Sequence, residues 1–420
     1  MIQGKNIICV GFPSWEGDYM KAIVQILSVL AQKNRVLYID YQHTYKDLAM
    51  SVVGKSKAPL TRMLGLTKRC RTIRLTNHTE VKVLTLPPVF PINWLPANKL
   101  YRWLLHWNSR RIRKSIQKTA ERLEMYNPLV INAFNPTYGI PLINQLEERL
   151  LLYYCYDEIS HAQWCKKHGA RMEAAFAPRT DAIIATSEPL QTSKSSYNEQ
   201  CFLVKNGVNI QLFQQALGQK KQYQVPDKPQ IVGYLGTVDD RLDYELLEFC
   251  VQKSPKLQFY FVGRVTYASG KARLNAYENV HFLGAMSPEQ LPQYVAQFDV
   301  GMIPFVRNGF TENIYPLKIN EYLAAGLPVV TTNFGQLTDF QDIVTIATQP
   351  QDFLQALLLE AHYPECDEEK QANIQKRVAF ARANSWESRA EELSQIIEQV
   401  IEQKKEEFLV NSPQSAVHSV

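Results

Sequence analysis

The residues with the clearest chemical potential lie between Tyr315 and Val330, in the stretch YPLKINEYLAAGLPVV. Pro316 suits the first position of a helix, because a proline there loses no hydrogen bond, and Gly326 is placed to end that helix. The helix N-terminus offers free backbone N–H groups and a positive dipole end, which favour phosphate. Glu321 shares the face of Leu317 one turn later, where its carboxylate can accept from two ribose hydroxyls. The stretch predicts a nucleotide diphosphate site or, as the alternative, an amphipathic helix with a solvated glutamate.

Glycines and cations follow neighbouring predicted strands in the same half of the chain. Gly236 ends one strand and Arg241 follows it, while Gly263 and Arg264 repeat the arrangement on the next strand. Glycine allows close approach of a ligand to the backbone, and arginine is a planar, bidentate partner for phosphate. Lys318 adds a cation at the start of the helix. Their convergence at one sheet edge would bind a diphosphate.

The N-terminal half begins with a βαβ pattern, a strand at Ile7–Gly11, a helix and a strand at Val36–Ile39, which predicts a parallel sheet. No G-x-G-x-x-G motif follows the first strand, so the common dinucleotide fingerprint is absent. Gly11 either faces a cleft or belongs to an ordinary loop. Asp157 follows the apolar strand Leu151–Tyr156, at an edge where active sites form. Its catalytic, substrate-binding and helix-capping roles stay open.

Length and element order indicate two domains. A chain of 420 residues exceeds one ordinary core, and two successive α/β series are separated by the polar segment Gln214–Pro229. Alternating strands and helices in both halves predict two Rossmann-like domains that face each other across a cleft. The polar C-terminal residues 411–420 are predicted to be disordered.

Cysteine usage and hydropathy favour a cytoplasmic protein. The seven cysteines include no C-x-x-C pair, which argues against structural zinc and a disulfide framework. No run approaches 18 apolar residues, so no membrane-spanning helix is expected. Asp239 and Asp240 are adjacent rather than spaced as metal ligands, and no histidine cluster accompanies them, so no metal site is predicted.

Charge is concentrated in one segment of the N-terminal half. Between Leu48 and Ala120 there are 15 Lys and Arg residues and one acid, Glu80. Aromatic residues beside this charge, on a helix predicted at Lys99–Ala120, suit an anionic membrane surface. The alternative is a solvated helix whose aromatics pack on the sheet; nucleic acid binding lacks an accompanying motif. The predicted membrane and acceptor face comprises Arg62, Arg69, Trp103, Trp107, Arg110 and Arg111.

The order of motifs resembles a known family. The chain contains, in this order, GYLG, FVGR, VHFLG and YPLKINEYLAAGLPVV. That order resembles the retaining, nucleotide-sugar-dependent GT-B glycosyltransferases of the glycogen-synthase-like superfamily (group 1, family 4 type). NGVN at Asn206–Asn209 resembles that family's hinge motif. The PLK…EYLA form, RLD at Arg241–Asp243 and RVLYID at Arg35–Asp40 resemble bacterial cell-surface polysaccharide transferases, including teichuronic-acid types.

The resemblance implies roles for individual residues. Glu321 matches the second Glu of an E-x7-E motif, which holds the donor ribose, while the first Glu falls on Asn313, an uncharged amide that can still bind a sugar hydroxyl. The diphosphate-clamping Arg and Lys fall near Thr237 and Arg241, and Asp157 sits where a residue beside the donor sugar is expected. Leu317 and Lys318 amides are implied to hold the phosphate. The catalytic candidates are Asp157, Arg241, Asn313 and Glu321. The remaining donor-site candidates are Gly11, Gly236, Gly263, Arg264, Gly284, Met286, Tyr315 and Pro316.

The resemblance also implies the organisation and activity of the whole chain. Residues 1–212 would form an acceptor domain, 213–386 a nucleotide-sugar donor domain, and 387–410 a helix that crosses back to the first. The implied reaction is sugar transfer with retention and without a metal or other cofactor, from a nucleotide-diphosphate sugar to a lipid-linked or glycan acceptor in bacterial cell-surface polysaccharide synthesis. This predicts a cytoplasmic protein, peripheral on the inner face of the plasma membrane. The alternatives are a GT-B nucleotide-sugar epimerase and a non-catalytic sugar-nucleotide-binding partner.

Overall fold

The computed structural model describes residues 1–17, 21–56, 58–75, 79–160, 165, 167–220, 228–362 and 367–410. These residues divide into two compact units. The first contains the described residues of 1–205 together with those from Arg389 onward, and the second contains those from Asn206 to Ser388. The predicted domain boundaries at 212/213 and 386/387 stay predictions, and the predicted tail at 411–420 lies outside the described residues.

The first unit is built on an eight-stranded sheet in the order β3-β4-β2-β1-β5-β6-β7-β8. All its pairings are parallel except the antiparallel pair β3 and β4. Chain order reverses between β1 and β5, where an open α/β sheet forms a crevice at its carboxyl edge. The strands are β1 Asn6–Gly11, β2 Arg35–Ile39, β3 Cys70–Arg74, β4 Glu80–Leu84, β5 Leu129–Ala133, β6 Leu150–Cys155, β7 Ala182–Ala185 and β8 Cys201–Leu203.

Helices cover this sheet, and one apolar core includes side chains of β1, β2, β4, β5, β6 and β7. The helices are α1 Ala22–Leu30, α2 Tyr45–Val52, α3 Leu60–Leu64, α4 Lys99–Arg122, α5 Pro136–Gly139, α6 Gly169–Phe176 and α7 Glu188–Lys194. Strand β3 was not predicted, because its sequence CRTIR is polar and only half-buried at the sheet edge. The short helices α2 and α3 were also missed; α2 has no buried residue and begins at a capping box formed by Thr44 and Asp47.

The second unit is built on a six-stranded parallel sheet in the order β11-β10-β9-β12-β13-β14. Its chain order reverses between β9 and β12, which places a second crevice at that carboxyl edge. The strands are β9 Ile231–Leu235, β10 Gln258–Val262, β11 Val280–Gly284, β12 Val300–Ile303, β13 Val329–Thr332 and β14 Thr345–Ala347. The helices are α8 Ile210–Lys220, α9 Tyr244–Lys253, α10 Ala268–Leu274, α11 Leu291–Val295, α12 Leu317–Ala324, α13 Pro350–His362 and α14 Asp367–Ala383.

Three predicted elements differ from the structure. Residues 214–220 of the polar segment belong to α8, because Phe213 and Ala216 give that helix a buried face, while 221–227 lie outside the described residues. The sequence predicts one helix from Ser287 to Phe298, but the structure has a 3-10 turn at Pro288–Gln290 followed by the short α11. Pro316 is the residue before α12 rather than its first residue, since its ψ of 91° is extended. The last helix, α15, spans Trp386–Val410.

Candidate functional site

Three glycines form a continuous strip along the carboxyl edge of the second sheet. Gly236 N donates to Val262 O at 2.9 Å, and Gly263 N donates to Gly284 O at 2.8 Å. A Cβ on Gly263 would lie 1.8 Å from the Gly236 carbonyl oxygen, so the two turns touch through their backbones. Both glycines have positive φ, 154° and 157°, which side chains disfavour. The edge therefore exposes backbone without side chains at these glycines, and the predicted close approach of a ligand to it stays a prediction.

Gly263→Ala is expected to destabilise the second unit by about 3 kcal/mol or more, because backbone atoms must move to admit the methyl group. Thermal and urea unfolding would measure the change. Gly218→Ala is the matched control, since a Cβ there meets nothing within 4 Å and alanine favours a helix. Equal stability of Gly263→Ala and the wild-type protein would show that this contact does not constrain the edge.

Helix α12 begins at the same edge, because it follows β12 in a parallel β–α–β connection. The loops after β9 and β12 are joined directly: Asp243 N donates to Pro304 O at 2.8 Å, and Val306 N donates to Arg241 O at 2.8 Å. Below them, the Tyr322 hydroxyl accepts from Leu235 N at 2.7 Å and fixes α12 to β9. The first-turn amides of α12, those of Leu317 and Lys318, lack intrahelical acceptors by the geometry of a helix N-terminus. They form a potential phosphate site.

Glu321 is the buried acid of α12, with 3% of its surface exposed. Its Oε2 accepts from Lys318 Nζ at 2.8 Å, whereas Oε1 accepts no hydrogen bond from any residue that the structure describes. Burial raises the pKa of the Glu321 carboxyl, and Lys318 opposes that rise. Beside it, Asn320 Oδ1 is buried without a partner among the described residues. Two acceptor oxygens are thus available on adjacent residues.

The cations predicted to clamp a diphosphate differ in their surroundings. Arg241 is held by Asp239, with Nε to Oδ1 at 2.9 Å and Nη2 to Oδ2 at 2.6 Å, and its guanidinium lies over the Phe305 ring at 5.3 Å. Lys318 is paired with Glu321. Arg264 is exposed and forms no ion pair within the described part of the chain. A dianion bound here would therefore meet one free cation and two that already have acidic partners.

Other predicted donor residues occupy the same unit. Thr237 is half-buried directly after Gly236, and Met286 is half-buried against the core behind β11. Tyr315 is buried, with its ring 5.5 Å from that of Phe340. Asn313 lies in a 3-10 turn and donates from Nδ2 to Gly309 O at 2.7 Å. None of these placements tests a contact with a sugar, so their roles stay predictions.

The predicted site residues of the first unit are more separate. Gly11 ends β1, and a Cβ there would lie 2.1 Å from the Tyr38 hydroxyl. Close packing against Tyr38 therefore explains why this position is a glycine. Asp157 is half-buried after β6, and its carbonyl accepts from Cys155 Sγ at 3.4 Å. The loop after β1 is organised by Asp40, whose Oδ1 accepts from Ser14 Oγ at 2.8 Å and from the Trp15 amide at 2.9 Å.

A hollow of about 540 Å³ opens where chain order reverses in the first sheet. Gln42 is 8% exposed, and its Oε1 is buried without a hydrogen-bond partner among the described residues. Phe134 adopts a φ of 57°, an unusual value for an aromatic residue that often marks a functional loop. No predicted site residue lines the hollow. Its main lining residues follow β1, β2 and β5 directly, which was the available sequence signal: Phe12, Tyr41, Gln42, Phe134, Asn135 and Thr137.

The predicted membrane face divides into exposed and packed residues. Trp103 is 61% exposed, whereas Trp107 packs on Phe90 with ring centroids 4.9 Å apart, and the Arg111 guanidinium lies 5.2 Å from the Trp107 ring. Trp107 thus packs within the protein, but on the loop after β4 rather than on the sheet. Burial and the nearby charge of Arg111 lower the pKa of Arg69, so cations of α3–β3 and α4 converge. Exposed apolar residues continue across this segment: Met50, Val52, Val53, Leu64, Leu66, Trp94 and Leu100.

Arg62 and Arg110 complete that face. Arg62 is half-buried, and its carbonyl accepts from Arg69 Nε at 3.2 Å. Arg110 is exposed.

Among the described residues, no three His, Cys, Asp or Glu side chains are grouped as metal ligands. None of the described helices is both long and apolar enough to span a bilayer.

The chain has relatives of known family. Residues 229–359, which include the glycine strip and Glu321, match the family described as Glycosyl transferases group 1. Over 182 residues the chain is 26% identical to TuaH of Bacillus subtilis (strain 168), which is named as a teichuronic acid biosynthesis glycosyltransferase. That match covers 40% of this chain and 44% of the relative, so it spans less than half of either protein.

Solved structures are similar over almost the whole chain. Sucrose-phosphate synthase from Thermosynechococcus elongatus has a TM-score of 0.67 at 18% identity, covering 95% of this chain and 100% of that one. HepE from Anabaena, solved in complex with UDP and glucose, has a TM-score of 0.60 at 16% identity, covering 94% and 100%. An Escherichia coli trehalose-6-phosphate protein bound with UDP-2-fluoro glucose has a TM-score of 0.64 at 10% identity, covering 94% and 99%.

The two sheets, parallel except for the pair β3 and β4, and these structural relatives define the class: the chain has the GT-B fold, as the sequence predicted. Within that class, its second unit carries a domain of the group 1 glycosyl transferases, which confirms the family resemblance.

Proposed function

We propose that this protein is a glycosyltransferase that moves a sugar from a nucleotide-diphosphate donor to a membrane- or lipid-linked glycan acceptor. The observation that carries the proposal is Glu321 in the second turn of α12. It is a buried acid with a free Oε1, one turn after the helix start that lies at the edge with the glycine strip, and within the segment that matches the group 1 family. A nucleotide diphosphate needs both a hydroxyl acceptor and a phosphate site, and this edge offers the two together.

In the proposed donor complex, the ribose hydroxyls donate to Glu321 and the diphosphate binds the first-turn amides of α12. Arg264, and Arg241 once it exchanges Asp239 for a phosphate oxygen, neutralise the charge that develops as the diphosphate leaves. Independence of a metal is part of the proposal. The bond from the anomeric carbon to the diphosphate oxygen breaks, a bond to the acceptor hydroxyl oxygen forms, and the hydroxyl proton leaves with the nucleotide. Retention of configuration is part of the proposal, from the family resemblance.

The hollow in the first unit is the proposed acceptor site. Aromatic side chains at the ends of β1, β2 and β5 provide apolar contact, while Gln42 Oε1 can accept from an acceptor hydroxyl. The basic, partly apolar surface of α2–α4 is proposed to hold the protein on the inner face of the plasma membrane, beside such an acceptor. A role in cell-surface polysaccharide synthesis is consistent with the teichuronic acid relative.

The direct test combines purified protein, membrane extract and a panel of labelled nucleotide sugars. UDP-sugars come first, because two of the structural relatives were solved with UDP or a UDP-sugar. We expect label in the lipid or glycan fraction, and none with Glu321→Ala. Interconversion of the donor without transfer would instead identify an epimerase. Neither transfer nor slow donor hydrolysis with any donor would remove the enzymatic proposal.

Trp103→Ala is expected to weaken binding to vesicles that contain anionic phosphatidylglycerol by about tenfold, because an interfacial tryptophan is a strong anchor. Tyr126→Ala is the matched control: Tyr126 is equally exposed, at 61%, but lies outside the basic segment. Vesicle co-sedimentation at low and high salt would compare them. Equal binding of both variants and the wild-type protein would argue against a membrane role for this surface.

A further inference from the structure

A second concave site lies in the first unit beside α4. The hollow has a volume of about 280 Å³, and its basic lining residues are His106, Arg110, Arg113 and Arg179. Ile140 and Ile143, from the segment that follows β5, form part of its apolar wall. No acidic residue lines it.

Helix geometry explains why the cations converge. His106, Arg110 and Arg113 are spaced by four and three residues, so their side chains share one face of α4. Arg179 approaches from the 3-10 turn Ala177–Arg179, which precedes β7. Arg113 is oriented by its hydrogen bond from Nη1 to Gln145 Oε1, at 2.8 Å.

These guanidinium groups have no acidic partner of their own. Within the part of the chain that the structure describes, Arg110, Arg113 and Arg179 form no ion pair. Three like charges around one small hollow repel each other, and an anion in their midst would remove that repulsion. This differs from the second unit, where Arg241 and Lys318 are each paired with an acid.

We propose that this hollow binds the phosphate group of a phosphorylated molecule, either a phosphomonoester or a diphosphate. Guanidinium forks match phosphate oxygens in bidentate geometry, and three of them around one hollow can share its oxygens. The volume lies just below the range of whole small-molecule pockets, which suits a phosphate with a small attached group. The group could belong to a lipid headgroup or to a soluble sugar phosphate, since both offer the same chemistry.

The proposal goes beyond the glycosyltransferase assignment, because the hollow lies in a different unit from the nucleotide-diphosphate residues. Phosphate binding in this hollow should persist when donor binding is lost, and donor binding should persist when phosphate binding in the hollow is lost. A Glu321→Ala protein should therefore still bind phosphate here. This makes failure of the two proposals distinguishable.

The test compares Arg110→Gln/Arg113→Gln with Lys114→Gln/Lys118→Gln. Both pairs remove two positive charges from α4, but Lys114 and Lys118 are exposed and do not line the hollow. Binding would be measured to glycerol phosphate by calorimetry, and to phosphatidylcholine vesicles containing phosphatidate by co-sedimentation. We expect the arginine pair to weaken binding by about tenfold or more and the lysine pair to have little effect.

Each result decides the proposal. If only the arginine pair weakens binding, to vesicles, to glycerol phosphate or to both, the result supports the site and identifies the source of the phosphate. Equal weakening by both pairs would show general electrostatic attraction and overturn it, as would absence of binding by the wild-type protein. If the arginine pair unfolds in a thermal scan, Arg179→Gln is the second variant, because Arg179 is an exposed residue of a short turn.

Discussion

Glu321→Ala is expected to abolish detectable donor binding and sugar transfer. Glu321 is a buried acid with a free oxygen in the second turn of α12, and that helix contains no other acid. A hydrogen bond to a charged group contributes about 1.5–3 kcal/mol, so losing two ribose contacts weakens the donor by about 100-fold or more. Calorimetric titration with UDP and UDP-sugars would measure the loss.

Glu312→Ala is the matched control for that experiment. Glu312 lies on the same connection between β12 and α12, but it is more exposed and pairs with Arg307 at 2.8 Å. The ion pair is a surface one, so its loss should change stability by less than about 1 kcal/mol and leave donor binding intact. Unchanged nucleotide affinity in Glu321→Ala would refute the ribose role of Glu321, whatever the control shows.

The raised pKa of Glu321 predicts a separate effect on stability. Because the folded state favours the neutral carboxyl, its contribution is full at acidic pH and is lost as pH rises through the folded pKa. Glu321→Gln should remove this loss. The difference between the unfolding temperatures of Glu321→Gln and the wild-type protein should therefore shift in favour of the variant as pH increases from acidic to neutral. Thermal unfolding across that range would detect the trend. A constant difference would mean that Glu321 has no shifted pKa in the folded protein.

The sequence predicted best those features that depend on neighbouring residues. Apolar runs such as Leu129–Ala133 and Ile231–Leu235 coincide with strands, because parallel strands are buried on both faces. Gly236 and Gly263 were predicted at strand ends, and the structure adds the reason, a direct contact between their backbones. The edge strand β3 was missed, because its pairing with β4 rather than its own hydropathy fixes it in the sheet.

Contacts between distant or competing groups could not be read from the sequence. Arg241 and Lys318 were predicted as phosphate cations, yet acids two and three residues away already bind them. The lining of the hollow of about 540 Å³ comes from loops that lie far apart in the chain, so the position of Gln42 shortly after β2 could not by itself show that these loops form one hollow. Trp103 and Trp107 look alike in the sequence, and only packing against Phe90 separates the half-buried Trp107 from the exposed Trp103.

A buried ion cluster beside Asp157 was also missed. Lys194 of α7 is 2% exposed and donates to Glu158 Oε2 at 2.9 Å and to Glu173 Oε2 at 2.8 Å. The Tyr153 hydroxyl donates to the other oxygen of Glu173 at 2.7 Å. Since Glu158 follows Asp157 directly, this cluster holds the loop after β6 on α6 and α7.

The pKa values in the cluster reflect opposing effects. Burial alone would lower the pKa of Lys194, but the nearby Cys155 and Glu173 raise it overall. Burial also raises the pKa of Glu173, and Lys194 only partly offsets this rise. For Glu158, burial acts in the same direction but is outweighed by hydrogen bonding to Lys194, so its pKa is lowered. The ammonium is thus the group on which both carboxylates depend.

Lys194→Met is expected to destabilise the first unit by about 3–5 kcal/mol, because it leaves two buried carboxylates without a cation. Lys205→Met is the matched control: Lys205 pairs with Glu188, whose side chain is 43% exposed, so loss of the pair should cost less than about 1 kcal/mol. Urea unfolding at neutral pH would measure both. A similar, small change in the two variants would mean that the cluster contributes no more than a surface pair.

Lys194→Met is also expected to change how stability depends on pH, which a loss of side-chain packing alone would not do. Without Lys194, the pKa values of both Glu158 and Glu173 should be raised, so each carboxyl favours the folded state only while protonated. The stability of Lys194→Met should therefore fall as pH rises through those values, and its deficit relative to wild type should be largest at neutral pH. Glu158→Gln and Glu173→Gln, added to Lys194→Met, should restore most of the lost stability at neutral pH, because neutral amides need no counterion. A deficit that is independent of pH and persists in the triple variant would identify lost side-chain packing, rather than unpaired charge, as its cause.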